Sequence, residues 1–235
     1  MSIGSLTITV IKKDIKNLHI SVLPPDGKIR VSAPKKLNDD LIRSAIIQRL
    51  SWIRKQQRDF QAQIRQSDRE MLTGESHYLW GKRYLLEVIE AKGKHYIIQQ
   101  GMNKLRLYIS PNTTVENKQL VLSDYYRVQL KKQLTPLIDK WQTKLGVSAS
   151  FIGVRRMKTK WGSCEPKTAR IWLNLELAKK PIECLEYILV HELVHLLERH
   201  HNNHFIALMD KYLPKWQTYK QLLKDTSIAE EKWDY

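Results

Sequence analysis

Residues 191 to 195 read His-Glu-Leu-Val-His. On a helix, four residues turn through about 400°, so His191 and His195 project within about 40° of each other, one turn apart. Two imidazoles so placed can share one metal ion. Glu192, beside the first of them, can reach a water on that ion without being a ligand itself, which is the two-histidine-plus-base arrangement of zinc hydrolases. The plain alternative is a surface pair or a satisfied core pair. Ile182, Leu185, Ile188, Leu189, Leu193, Leu196 and Leu197 form a broad apolar stripe around the motif. Imidazoles among leucines need polar partners, and a metal supplies one.

A catalytic zinc takes three protein ligands and keeps one position for water. His201, ten residues after His191, has the spacing of a third histidine ligand just beyond the helix. That geometry needs the helix to end near Arg199 or His200 and the chain to turn back. Asn202-Asn203 suits such a turn, because asparagine tolerates left-handed backbone angles. His204 and Glu198 are the alternatives for the third ligand. Phe205 opens a helical run with Leu208, Met209 and Tyr212 and is placed to buttress the turn.

Several elements must hold this motif. Pro181 suits the first position of its helix, where a missing N–H costs nothing. Phe151 to Val154 and Ile171 to Leu175 read as short strands flanking Trp161-Gly162-Ser163-Cys164. A long helix runs from about Asn117 to Leu145, broken or kinked near Pro136 and stopped by Gly146. Further upstream, Tyr84 to Ile89, Tyr96 to Ile98 and Leu105 to Ile109 have strand periodicity. At the N-terminus, Thr7 to Ile11, Leu18 to Leu23 and Lys28 to Ser32 are strands, with a turn signal at Pro24-Pro25-Asp26-Gly27. One helix follows, from near Leu41 to Phe60. No internal repeat is visible.

The formal net charge is +16 and the isoelectric point about 9.8, a balance that attracts polyanions at long range and so admits a nucleic-acid partner through the basic surface. No apolar run is long enough to span a membrane, so no membrane partner is expected. The N-terminus carries no signal-peptide pattern, and Cys164 and Cys184 give no disulfide framework. Both point to a cytoplasmic location. Nothing in the sequence fixes the oligomeric state.

At this point the chain resembles a known family. The run His191-Glu192-Leu193-Val194-His195-Leu196 with His201 and Phe205 is similar to the YgjP-like metal-dependent hydrolases, akin to the SprT-like zinc proteases. Met157-Lys158-Thr159-Lys160-Trp161-Gly162-Ser163-Cys164, with Leu173-Asn174-Leu175 and Pro181, matches a second block, and Tyr78-Leu79-Trp80-Gly81-Lys82-Arg83-Tyr84 a weaker third. The resemblance implies His191, His195 and His201 as metal ligands and Glu192 as base. Val194 stands where many members have cysteine. Both peptidase and nucleotide pyrophosphatase activities are attached to the family.

These readings give an α+β chain: residues 1–115 form a β-rich N-terminal part with one long helix, and residues 116–235 a zincin-like part with the active-site helix. The boundary falls near Pro111 to Glu116. The expected function is zinc-dependent hydrolysis with one Zn2+ per chain, acting on peptide bonds. The competing functions are nucleotide pyrophosphatase and a nucleic-acid-binding module with a structural metal. Trp161, Gly162 and Ser163 are candidates for lining the substrate cleft, on a strand that could hold an extended peptide by main-chain hydrogen bonds. Arg155 and Lys160, with Arg156 and Lys158, are candidates for holding substrate phosphates. Cys164 reads either as core packing or, with Ser163, as a substrate contact or support of the site, and not as a nucleophile.

Overall fold

Between Lys28 and Pro34, Ile29, Val31 and Ala33 are buried while Lys28 and Arg30 are exposed, the period-two pattern of a half-buried strand. In the computed structural model, which describes residues 1–4, 6–23, 27–62, 70–157 and 159–225, this segment is β4. With β1 (Ser2–Ile3), β2 (Leu6–Lys13) and β3 (His19–Leu23) it forms a sheet in the order β1-β2-β4-β3. β2 and β4 are parallel and the outer pairs antiparallel. The expected turn at 24–26 lies outside the described residues. The single helix expected from Leu41 to Phe60 is two, α1 (Asp39–Gln48) and α2 (Leu50–Ala62), because Arg49 leaves helical geometry at φ −108° and ψ 12°. Asn38 caps α1 by accepting from the Asp40 N–H. Ile42, Ile46 and Ile53 bury against Ile8, Ile29 and Val31.

The next four strands, β5 (Ser76–Leu79), β6 (Lys82–Glu90), β7 (Tyr96–Gln100) and β8 (Lys104–Ile109), reproduce that topology. Their order is β5-β6-β8-β7, again with the inner pair parallel and the outer pairs antiparallel. The repeat is one of strand order and not of residues, so the sequence conceals it. β5 escapes the sequence reading for a local reason: it is short, and one of its two inward positions is a histidine, His77, the other being Leu79.

α3 (Val115–Leu145) starts at the Thr114 cap and ends on Gly146 in the left-handed conformation at φ 68°. It runs unbroken through Pro136, so of the expected break or kink the break does not occur. Leu130, Leu134 and Trp141 are buried on both sides of the proline, and that burial offsets the lost hydrogen bond. β9 (Phe151–Arg155), β10 (Gly162–Glu165) and β11 (Arg170–Asn174) follow, in the order β10-β11-β9, so β10 is an edge strand. A 3₁₀ turn over Leu175–Lys179 leads to α4 (Ile182–Val194), α5 (Asn203–Tyr212) and α6 (Trp216–Asp225).

The chain divides into two compact units, Met1–Ser67 and Asp68–Ser227. This division lies ahead of the expected boundary near Pro111. Its physical basis is a shared core: Leu86, Leu105 and Leu107 of the second sheet belong to one apolar cluster with Leu130 of α3 and Leu185 and Leu189 of α4. Among the described residues no helix is long and apolar enough to cross a membrane.

Candidate metal centre

The start of α4 is fixed from outside the helix. The turn between β5 and β6 places Trp80 and Gly81 at φ 51° and 76°. Their N–H groups donate to the carbonyls of Ala178 (2.9 Å) and Lys179 (3.2 Å). A Cβ on Gly81 would come within 2.9 Å of Pro181 Cγ, so only glycine lets the hairpin sit this close. Pro181 is the N-cap and α4 begins one residue later. The Tyr78–Tyr84 block thus seats the helix that carries the histidines.

That helix stops at Val194, well before Arg199. His195 is its C-cap and keeps right-handed helical angles, φ −63° and ψ −15°, so it still projects one turn beyond His191. The chain tightens after it, with the N–H groups of Leu196 and Leu197 bonding to the carbonyls of Leu193 and Val194. Asn202 is not left-handed. It is extended, and its side chain caps α5 by accepting from the Phe205 N–H at 3.0 Å. This cap sets Phe205 at the centre of the site, with its ring 4.9 Å from His191 and 4.8 Å from both His195 and His201.

One nitrogen from each of His191, His195 and His201 lies within 4.8 Å of the others. Nε2 of His201 and Nε2 of His191 are 3.0 Å apart. Imidazoles sharing a tetrahedral ion at 2.0–2.1 Å would hold their nitrogens about 3.4 Å apart, so the cluster fits a divalent ion with small adjustment. His195 Nδ1 donates to the Glu198 carbonyl at 3.1 Å, which fixes its tautomer and leaves Nε2 as an acceptor. His204 is exposed and outside the cluster, and the Glu198 carboxylate accepts from the His200 N–H.

Burial holds all three imidazoles below the ordinary histidine value. His191 is pushed down to about 2, by burial first and then by its two histidine neighbours and Lys220. His195 is lowered by burial, against the opposing Glu198 carbonyl, and His201 by burial and then Lys220. Neutral imidazoles are the form a metal takes. The charge of Lys220, on α6, is one that sequence reasoning missed, since no motif connects α6 to the histidines.

Glu192 is 1% exposed and lies against β10. A Cβ added to Gly162 would stand 2.5 Å from Glu192 Oε1 and 2.7 Å from its Cγ. Gly162 is therefore brought to the site, and Ser163 follows it on the edge strand. Trp161 is not: it is 3% exposed, in the core, with Lys180 Nζ 5.5 Å from its ring centroid. Cys164 is half-buried and its thiol is pushed up to about 12, chiefly by burial, so it holds its proton. Arg155 and Lys160 are exposed, and Lys158 lies outside the described residues.

Asn174 also escaped the sequence reading as a functional residue. It is fully buried, and its side chain ties down the loop between β9 and β10. Its Oδ1 accepts from the N–H groups of Met157 (3.3 Å) and Glu176 (3.2 Å), and its Nδ2 donates to the carbonyls of Met157 (3.0 Å) and Lys160 (2.8 Å). Asn174→Ala leaves these groups unsatisfied and is expected to cost about 3 kcal/mol. Urea titration should show a lower midpoint at an unchanged slope.

The chain belongs to the YgjP-like family: the family's metallopeptidase domain matches residues 16–226. Among solved structures, the chain is similar to the metallopeptidase zymogen of Pyrococcus abyssi abylysin at 22% identity, with a TM-score of 0.36, over 39% of this chain and 92% of that one. No curated protein matches the chain. A metallopeptidase domain implies a divalent metal and hydrolysis as its chemistry.

Proposed function

We propose that the chain is a zinc metallopeptidase, with His191, His195 and His201 as the ligands and Glu192 as the general base. The observation that carries this reading is the convergence of three lowered imidazoles with a buried carboxylate next in sequence to the first of them. An all-histidine donor set suits zinc. When bound, the ion supplies Lewis-acid polarisation of the scissile carbonyl and a water acidified to near neutrality.

The remaining steps belong to the protein. Glu192 takes the proton of the attacking water and passes it to the leaving nitrogen. The Glu198 carbonyl keeps His195 in the tautomer that presents Nε2. β10 is the edge strand of its sheet, and from Ser163 onward its main chain gives an extended peptide a place to pair beside Glu192. Gly162 makes room for the carboxylate at that edge. Gly162→Ala is expected to displace it and lower kcat about a hundredfold, with circular dichroism and metal content retained.

The test of the reading is metal content measured alongside turnover. Untagged protein should carry about one zinc per chain and cleave an unfolded protein substrate. Zinc-loaded protein that leaves peptides intact but hydrolyses nucleoside triphosphates would transfer the same centre to phosphate chemistry. Protein that takes up no zinc would end the reading.

A further inference from the structure

Next to Ser163 the surface opens into a cleft of about 400 Å³, lined by Arg155, Arg156, Met157, Thr159, Lys160 and Ser163. Three of these are cations and none is a carboxylate. Arg156 already has a partner, since it donates to Glu176 at 3.3 Å. Arg155 and Lys160 have no carboxylate partner among the described residues. The guanidinium of Arg155 lies 4.9 Å from the Trp172 ring centroid, which aims it without using its N–H donors.

The loop that bears these cations is pinned. A surface loop with no task can be left to water, yet this one is held at Met157 and Lys160 by the fully buried Asn174. The Asn174 N–H also donates to the Trp161 carbonyl at 2.8 Å. Lys160 is thus fixed at its backbone two residues before Gly162, which abuts Glu192. A preorganised pair of cations beside a reaction centre binds an anion at a lower ordering cost than mobile side chains would.

We propose that this cleft is the subsite for a carboxylate of the substrate peptide, from an acidic side chain or from the C-terminus of the chain, received by Arg155 and Lys160. The proposal rests on the peptidase reading of the adjacent centre. A planar guanidinium suits a carboxylate in two-pronged fashion, and Lys160 adds a point charge. Both are solvent-exposed, so the preference should be modest and sensitive to salt.

The test uses zinc-loaded full-length protein and a peptide series in which one position carries Glu, Gln or Lys, each with a free or amidated C-terminus. Binding is measured by calorimetry and cleavage by chromatography, for the wild type and for Arg155→Gln/Lys160→Gln. The expected result is about tenfold tighter binding and higher kcat/KM for the carboxylate-bearing peptides. That ratio should fall to about one in the double variant and shrink with added salt. Preference for Glu at one position assigns a side-chain subsite, whereas preference for the free over the amidated end assigns a terminal one. A wild-type ratio near one, or a ratio that survives in the variant, overturns the proposal. So does tighter binding of inorganic triphosphate than of any peptide, lost in the variant, which would give the cleft to phosphate. Carboxylate-selective binding without cleavage would uphold the cleft and end the peptidase reading; cleavage without selectivity would do the reverse.

Discussion

Glu192→Gln is expected to hold zinc as the wild type does and to turn over peptide at least about a hundredfold more slowly. The substitution keeps the shape of a side chain that is 1% exposed and packed against Gly162, so the fold has no reason to change. It removes only the capacity to take a proton. Neither Cys164 nor Tyr187 can substitute. The Cys164 thiol is held protonated by burial and by Glu192 itself, and the Tyr187 hydroxyl is pushed upward by burial in the same way. Turnover at saturating peptide, measured alongside zinc content by mass spectrometry, separates the possibilities. Wild-type turnover would end the base assignment. Lost zinc would recast Glu192 as part of the metal cradle.

His191→Ala should weaken zinc binding by more than about a hundredfold, since it removes a ligand outright where loss of a supporting hydrogen bond already costs about tenfold to a hundredfold. Its nitrogen stands 3.0 Å from that of His201 and is the most deeply buried of the three. The same burial sets a pH dependence. The native protein disfavours protons on His191, His195 and His201, whereas the unfolded chain takes them up below the ordinary value of 6.5. The unfolded state therefore binds more protons, and stability declines as pH falls from 6.5 toward the lowered native values. Melting of chelated protein from about pH 8 to about pH 4 should show this decline, and His191→Ala should flatten it. An unchanged profile in the variant would dissociate the histidine from the acid sensitivity.

Much of the site was legible because its parts are near neighbours in sequence. His191, Glu192 and His195 need only helical spacing to converge, and His201 and Phe205 follow within a few residues. The helix end was misplaced because leucines continue to Leu197 after the hydrogen bonds tighten at Val194. Asn202 was assigned to a turn when its side chain is the cap of the next helix. Of the residues that reach the site from other elements, Gly162 was read as a cleft candidate and Asn174 only as part of the Leu173-Asn174-Leu175 block, whereas Lys220 left no signal. Lys220 comes from α6, Asn174 from the end of β11, and the clearance at Gly162 exists only because β10 meets α4. The fold class was readable from periodicity, whereas the duplicated strand order was not, because pairing partners are a property of the sheet and not of any single strand.

The early end of α4 carries one more consequence. The carbonyls of a helix's last turn have no partners further along the helix, and their dipoles sum to about half a negative charge at that end. His191 lies in the last turn of α4 and His195 caps it. On the proposed reading, a cation shared by these two side chains would sit where the backbone itself is electronegative, and the peptide dipoles of α4 would contribute to holding it. A helix continued to Arg199 would have carried that negative pole about a turn beyond the two histidines.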